Sequence, residues 1–196
     1  MEFESHDLDN EHTFLTGRLP VERRFDARAF ESLWQMHPAR YHEILMGGRK
    51  VLTPRWQQAF GQDYRYSGRI NRALPIPLLL QPLLAWAVDD IDARLNAILV
   101  NWYDGERGHY MGRHRDTMNQ LVKGAPIVTI SFGEERVFRL RPRGRTGHTD
   151  FVARDGTVFV MPYETNREWT HEIPRLKKYR GRRISVTLRG FMTKQS

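Results

Sequence analysis

His114-Arg115-Asp116 sets an imidazole and a carboxylate two residues apart, and an extended backbone turns both to one face. With a second imidazole they make a two-His, one-carboxylate set, which leaves three octahedral positions of a metal open for a co-substrate and O₂, as at non-haem Fe(II) sites. The tripeptide alone carries little weight. About half of one H-x-D is expected by chance at this composition, and a second, His148-Thr149-Asp150, is present. Spacing separates the two. His171 follows Asp116 by 55 residues, room for several strands to wrap round and return, but follows Asp150 by only 21, room for about one hairpin. His148 and Asp150 therefore read as a surface turn.

Near the C-terminus, Arg183-Ile184-Ser185-Val186-Thr187-Leu188-Arg189 alternates strictly between polar and apolar residues. A strand puts Arg183, Ser185, Thr187 and Arg189 on one face and Ile184, Val186 and Leu188 on the other. Two arginines on one strand face are either solvated at a sheet edge or, beside a metal, bind a dicarboxylate co-substrate through paired charge-assisted hydrogen bonds. Asn101 and Tyr103 likewise share a face opposite Val100 and Trp102. Buried residues of these two types more often satisfy a local hydrogen bond than touch a ligand.

These groups need a scaffold. In the first half, Asp26 is placed to cap a helix over residues 27–36, with Phe30, Leu33 and Trp34 forming its apolar face and His37-Pro38 ending it. Pro82 is placed to start a second helix through Leu83, Leu84, Trp86, Ala87, Ile91 and Leu95. Beyond Asn96 the spacing changes to short runs, 97–103, 126–132, 136–141, 149–153, 157–161 and 183–191, each bounded by Gly, Pro, Asp or Asn. Such a series reads as a β-sandwich or jelly roll supported by N-terminal helices, an α+β, mainly β chain. Residues 1–18 lack apolar periodicity and read as a flexible arm or an edge strand.

The 196 residues suffice for one domain with a sizeable core. At 40% hydrophobic and 28% charged residues, the composition excludes a disordered, collagenous or coiled-coil chain. The longest apolar stretch, 74–88, is interrupted by Pro75, Pro77 and Pro82 and falls short of the roughly 20 residues that cross a bilayer. No membrane partner is expected, and the start of the chain carries no export leader. With no cysteine, thiolate metal sites and catalytic thiols are excluded. The net charge of +8 is lopsided: residues 1–100 hold 12 Lys+Arg against 13 Asp+Glu, and 101–196 hold 19 against 10. An arginine-rich half suits a phosphate-bearing or otherwise anionic partner.

Taken in order, Asn101-x-Tyr103, His114-x-Asp116, the run 126–133 followed by Arg136 and Phe138, His171-x-Ile173-Pro174, and Arg183-x-Ser185-x-Thr187-x-Arg189 resemble the AlkB-like branch of the Fe(II)- and 2-oxoglutarate-dependent dioxygenases. The resemblance runs firmly over residues 97–191 and more faintly back through Tyr64-Arg65-Tyr66-Ser67-Gly68 to Arg55. It implies a single domain on a double-stranded β-helix, a cupin-like jelly roll, with a catalytic core at 97–191 and a substrate lid at 49–72. It further implies that His114, Asp116 and His171 hold Fe(II), and that Arg183 pairs with the distal carboxylate of 2-oxoglutarate. Asn101 and Tyr103 would bind the same co-substrate from the facing strand, Ser185 would supply a polar group beside them, and Arg189 would stand near the co-substrate and the reactive centre. The implied reaction uses O₂ to convert 2-oxoglutarate to succinate and CO₂ while a substrate C–H bond is hydroxylated. An N-methyl group treated this way leaves as formaldehyde.

For the substrate, the resemblance implies an alkylated nucleic acid, single-stranded by preference, whose flipped base stacks on aromatic side chains. Trp56, Tyr64 and Tyr66 are similar in placement to such a platform. Arg49, Lys50, Arg55, Arg65 and the run Lys177, Lys178, Arg180, Arg182 are the candidate phosphate contacts. Met118 departs from the family: base-repair members place an acidic residue just after the metal Asp to read an exocyclic amine, and a thioether cannot accept that hydrogen bond as a carboxylate does. The alternative is the same mechanism acting on a small molecule or peptide; a more remote one is a non-catalytic nucleic-acid-binding module. The expected protein is a monomeric, cytoplasmic DNA-repair demethylase, associated with the nucleoid if DNA is its target.

Overall fold

The computed structural model describes residues 2–66 and 68–192; Ser67, in the expected turn, and Met1, in the expected arm, lie outside the described residues. Fifteen strands and three helices make up the described chain. The first half holds β1 (Phe3–Asp7), β2 (Thr13–Arg18), α1 (Ala27–Trp34), β3 (Glu43–Met46), β4 (Arg49–Leu52), β5 (Trp56–Phe60), β6 (Tyr64–Tyr66), β7 (Arg69–Asn71) and α2 (Gln81–Asp90). The second holds β8 (Ala97–Asp104), β9 (Met111–His114), β10 (Ile127–Gly133), β11 (Arg136–Pro142), β12 (Thr149–Ala153), β13 (Thr157–Met161), α3 (Tyr163–Glu168), β14 (Trp169–Ile173) and β15 (Arg182–Arg189).

Two sheets face each other. The larger has the order β1-β2-β13-β10-β15-β8-β5 and the smaller β12-β11-β14-β9; their pairings are antiparallel, the jelly-roll arrangement that the alternating runs require. The larger sheet carries core on both faces. Outward, Ile98, Val100 and Trp102 of β8 and Ile184, Val186 and Leu188 of β15 pack with Leu33 and Trp34 of α1 and Leu83 and Trp86 of α2. Inward, Leu99 and Tyr103 meet Phe138 and Leu140 of the smaller sheet. Each fully buried Leu, Val or Phe contributes about 1.5–3 kcal/mol, so the helices are held firmly on the outer face of the larger sheet.

Asp26 caps α1 as its position requires, accepting from the Ala29 N–H at 2.7 Å. The second helix is shorter than its spacing implies: it stops at Asp90, and Leu95 is buried beyond its end. Two other expectations are corrected. Of the two readings of the N-terminal stretch, the flexible arm does not hold: over residues 3–18, β2 pairs with β13 and buries Phe14 completely, leaving β1 as the sheet's edge strand. Nor is 49–72 all lid, since β5 is built into the larger sheet beside β8. The hairpin β3–β4 and the pair β6–β7 form separate two-stranded sheets. At the tip of the former, Gly47 and Gly48 take φ of 54° and 77°, the positive values that a two-residue hairpin loop demands.

Candidate metal centre and its cavity

The smaller sheet brings the imidazoles together. β14 pairs with β9 so that His171 sits opposite His114, their ring centroids 4.4 Å apart. Asp116 completes the group, and one candidate ligand atom from each of the three lies within 4.8 Å of the others. The Nδ1 of His114 donates to the Gly112 carbonyl at 2.9 Å, which fixes the ring and leaves Nε2 free to ligate. Burial, with the neighbouring His114, pushes the His171 imidazole down to about 3, and burial also lowers His114. Both rings are thus neutral, the form a cation requires. Burial alone would raise the Asp116 carboxyl, but the charge and hydrogen bond of Arg189 overrule it and hold it well below the usual carboxylate range.

β15 faces this group from the larger sheet. Of the two readings of these arginines, the solvated sheet edge is ruled out: β15 lies between β10 and β8, and Arg183, Ser185, Thr187 and Arg189 are all buried. Arg189 reaches Asp116 Oδ2 through Nε at 2.9 Å and Nη2 at 2.7 Å, while Tyr64 donates its hydroxyl to Oδ1 at 2.9 Å. Arg183 donates from Nε to Ser131 Oγ at 2.9 Å and lies 5.0 Å from the centre of the Tyr103 ring. Its Nη1 and Nη2 are buried with no protein partner among the described residues. Burial lowers this guanidinium to about 10, so it remains charged. A buried cation with two unpaired donors fits a carboxylate, and the neutral His pair with its ionised Asp fits a divalent metal.

Between the sheets and the two small hairpins lies a cavity of about 350 Å³, lined by the three candidate ligands, by Asn101, Tyr103, Arg183, Ser185 and Arg189, and by Tyr64 and Tyr66. The two tyrosine rings stack at 5.0 Å. Ile44, Met46, Val51 and Leu52 of β3–β4 form an apolar roof. Arg55 also lines it: instead of standing at the surface for phosphate, it is buried and donates from Nε to Asn101 Oδ1 at 2.7 Å.

Two expected substrate residues lie elsewhere. Trp56 faces the helices, its ring stacked 3.9 Å from His37 and 5.5 Å from Tyr41, because the alternation of β5 gives the cavity face to Gln57. Met118 is turned away from the cavity lining, its sulfur 3.0 Å from Asn166 Nδ2. His148 and Asp150 are exposed and remote from the cavity lining; Asp150 lies on the edge strand β12, bound to Arg139 at 2.6 Å. Lys177, Lys178, Arg180 and Arg182 are exposed. The sequence reading missed Asn166, which is fully buried and binds both main-chain groups of Asp116. Its setting, Tyr163-Glu164-Thr165-Asn166-Arg167-Glu168, is as polar as any surface turn, and only Pro162 ahead of it marks a helix start.

A family model described as the 2OG-Fe(II) oxygenase superfamily matches residues 22–189. The chain is 26% identical to the human DNA oxidative demethylase ALKBH2 over 93% of its length and 73% of that protein's, and 27% identical to the mouse protein of that name over 93% and 80%. It is 30% identical to the rat alpha-ketoglutarate-dependent dioxygenase alkB homolog 3, over 74% of this chain and 53% of the relative. The solved structure of OsALKBH1 superposes with a TM-score of 0.59 at 15% identity, covering 95% of this chain and 99% of that one, which establishes a shared fold.

Proposed function

Because the chain belongs to the 2OG-Fe(II) oxygenase superfamily, whose members use Fe(II), 2-oxoglutarate and O₂, we propose that it is an oxidative demethylase of alkylated nucleic-acid bases. The observation that carries this reading is the stacked pair Tyr64 and Tyr66 lining the cavity that holds the His/Asp/His group. Tyr64, stacked between Tyr66 and Phe191, backs Tyr66, and an aromatic wall beside a metal suits a planar ring presented edge-on to the reacting centre. The similarity to DNA oxidative demethylases supports it.

In this reading His114, Asp116 and His171 hold the metal, and Arg183 takes the distal carboxylate of 2-oxoglutarate with its unpaired Nη1 and Nη2. Asn101 and Tyr103 of β8, the register partners of Ser185 and Arg183 on β15, stand beside the co-substrate on the same face of the larger sheet. Arg189 and Tyr64 hold one oxygen each of Asp116, so the carboxylate cannot rotate. Fe(II) bound here with 2-oxoglutarate and O₂ supplies the oxidising power that hydroxylates an N-methyl carbon, with loss of formaldehyde. The protein's share is register: β15 sets co-substrate and metal ligand from one rigid strand, while the aromatic pair sets the base. A base reaches the His/Asp/His group, whose Asp116 and His171 are buried, only when unpaired or flipped, a cost that is least for single-stranded substrate. β3–β4 and β6–β7 serve as the lid.

The test is anaerobic loading with Fe(II) and 2-oxoglutarate followed by air, with single-stranded oligonucleotides carrying 1-methyladenine, 3-methylcytosine or 3-methylthymine. Formaldehyde in step with succinate, only when a methylated oligonucleotide is present, supports the reading. Succinate release indifferent to every oligonucleotide ends it and favours a small molecule or peptide, for which the apolar roof of Ile44, Met46, Val51 and Leu52 is the supporting feature.

A further inference from the structure

Resting on the nucleic-acid reading above, we infer that the cavity selects neutral, carbonyl-edged N-methylated bases over cationic, amine-edged ones. N-methylation at N3 of uracil or thymine leaves an uncharged ring flanked by carbonyl oxygens. Methylation at N3 of cytosine or N1 of adenine fixes a positive charge and leaves an exocyclic amine that needs an acceptor.

The lining contains five arginines, Arg55, Arg113, Arg115, Arg183 and Arg189, and a single carboxylate, Asp116. That carboxylate has no capacity left for a base: Oδ2 takes both bonds from Arg189, Oδ1 takes Tyr64, and the metal claims the rest. Arg189 balances Asp116, and Arg183 pairs locally with the distal carboxylate of the co-substrate, while the titratable side chains of the lining sum to +4. Loading with doubly positive iron and doubly negative 2-oxoglutarate leaves the sum of charges unchanged. Arg55, Arg113 and Arg115 remain. Their observed bonds are to neutral groups: Arg55 to the Asn101 amide, Arg113 to Thr170 Oγ1 at 2.8 Å and the Pro142 carbonyl at 2.9 Å, and Arg115 to the Arg167 carbonyl at 3.0 Å. No carboxylate among the described residues lies within salt-bridge distance of any of the three.

A cationic base entering this space meets the buried, uncompensated Arg55, a repulsion that is costly where water is excluded, while the exposed Arg113 and Arg115 at the rim add a weaker, screened one. The aromatic pair offers only partial relief, because the Tyr64 ring is already covered by the Arg189 guanidinium 4.8 Å from its centre. The amine of such a base also finds no free acid. Thr117 and Met118 follow Asp116, and the Met118 sulfur faces Asn166. A carbonyl edge, by contrast, meets the guanidinium donors as an acceptor.

Oligonucleotides that differ only in 3-methylcytosine versus 3-methyluracil isolate the effect, since ring and methyl position are the same. Two readouts are taken: kcat/KM for formaldehyde release by the Fe(II)- and 2-oxoglutarate-loaded enzyme, and Kd by fluorescence anisotropy of the anaerobic complex loaded with Mn(II) and 2-oxoglutarate. The expected result is at least tenfold preference for 3-methyluracil in both. Equal or reversed preference overturns this inference and leaves the demethylase reading standing. No formaldehyde and no binding above the unmethylated control, with either base, overturns both. Arg55→Gln should narrow the preference at least threefold while Arg55→Lys keeps it; if Arg55→Gln does not fold, the double variant Arg113→Gln, Arg115→Gln at the exposed rim makes the same test. A general structural role would lower both substrates together and leave their ratio unmoved, and an unmoved ratio in the folded variants overturns the electrostatic cause.

Discussion

The carboxamide of Asn166 grips the main chain of Asp116 from both sides, accepting from its N–H at 3.0 Å and donating to its carbonyl at 3.2 Å. Asn166 sits in α3, which runs directly into the strand that carries His171. One buried side chain thus ties together the segments that carry the candidate metal ligands Asp116 and His171. Partners of this kind are typically worth about 10–100-fold in metal affinity. Asn166→Ala should weaken Co(II) binding, followed by its absorption bands, by roughly tenfold. Unchanged Co(II) affinity in a folded variant would show that the grip is dispensable.

His114→Ala and Asp116→Ala should each abolish metal-dependent succinate release, whereas His148→Ala should leave it near the parental rate. The two H-x-D motifs differ in that only the first faces a second imidazole. Comparable loss at His148 would move the metal elsewhere.

Arg183→Ala removes the two buried donors proposed for the distal carboxylate, Nη1 and Nη2, which have no partner among the described residues. KM for 2-oxoglutarate should rise at least tenfold, about 1.4 kcal/mol of charge-assisted bonding, with KM for the oligonucleotide little changed. A shift in the oligonucleotide KM alone would reassign the residue.

Trp56 and Tyr66 should separate stability from recognition. Trp56 is buried against His37, Tyr41 and Trp34, so Trp56→Ala should cost about 3–5 kcal/mol of stability. Tyr66→Leu should weaken oligonucleotide binding while Tm moves little. Denaturant titration and anisotropy on both variants decide the matter, and the reverse pattern would put Trp56 back among the substrate contacts.

His109 supplies a pH test. It is buried, accepts from the Asp104 N–H at Nδ1 and meets the Tyr41 hydroxyl at Nε2, and burial pushes its imidazole down to about 4. Unfolding restores the ordinary value near 6.5. Between these values the unfolded chain binds the extra proton, so stability is full above about pH 6.5 and falls as pH drops toward 4. The loss expected from this residue is on the order of 2 kcal/mol. His109→Gln should flatten that slope in urea titrations of the metal-free protein from pH 7 to 5; an unchanged slope would assign it to other groups.

Strands with one polar and one apolar face announced themselves: the alternation in β15 and β8 located the arginine face and its partners before any pairing was known. Alternation cannot say which face turns inward, however, and that is why Arg183 and Arg189 were open to reading as solvated and Trp56 to reading as a stacking platform. β9 and β14 escaped notice because Met111–His114 and Trp169–Ile173 are short and mixed, and their pairing joins segments far apart in sequence. Arg55 and Asn166 look like surface residues in sequence. Their burial is created by elements folded over them, a tertiary effect that local composition does not encode.

The strands of the hairpin β3–β4 pair only with each other among the described residues, joined to β7 by the Arg69–Glu43 ion pair; the hairpin is largely exposed and turns on two glycines, yet Ile44, Met46, Val51 and Leu52 roof the cavity. It behaves as an exchangeable cassette. Swapping its residues alters what the enzyme can admit without disturbing the strands that carry metal and co-substrate, so new specificities are reachable through some ten positions by drift or by design, with the oxidative chemistry inherited intact.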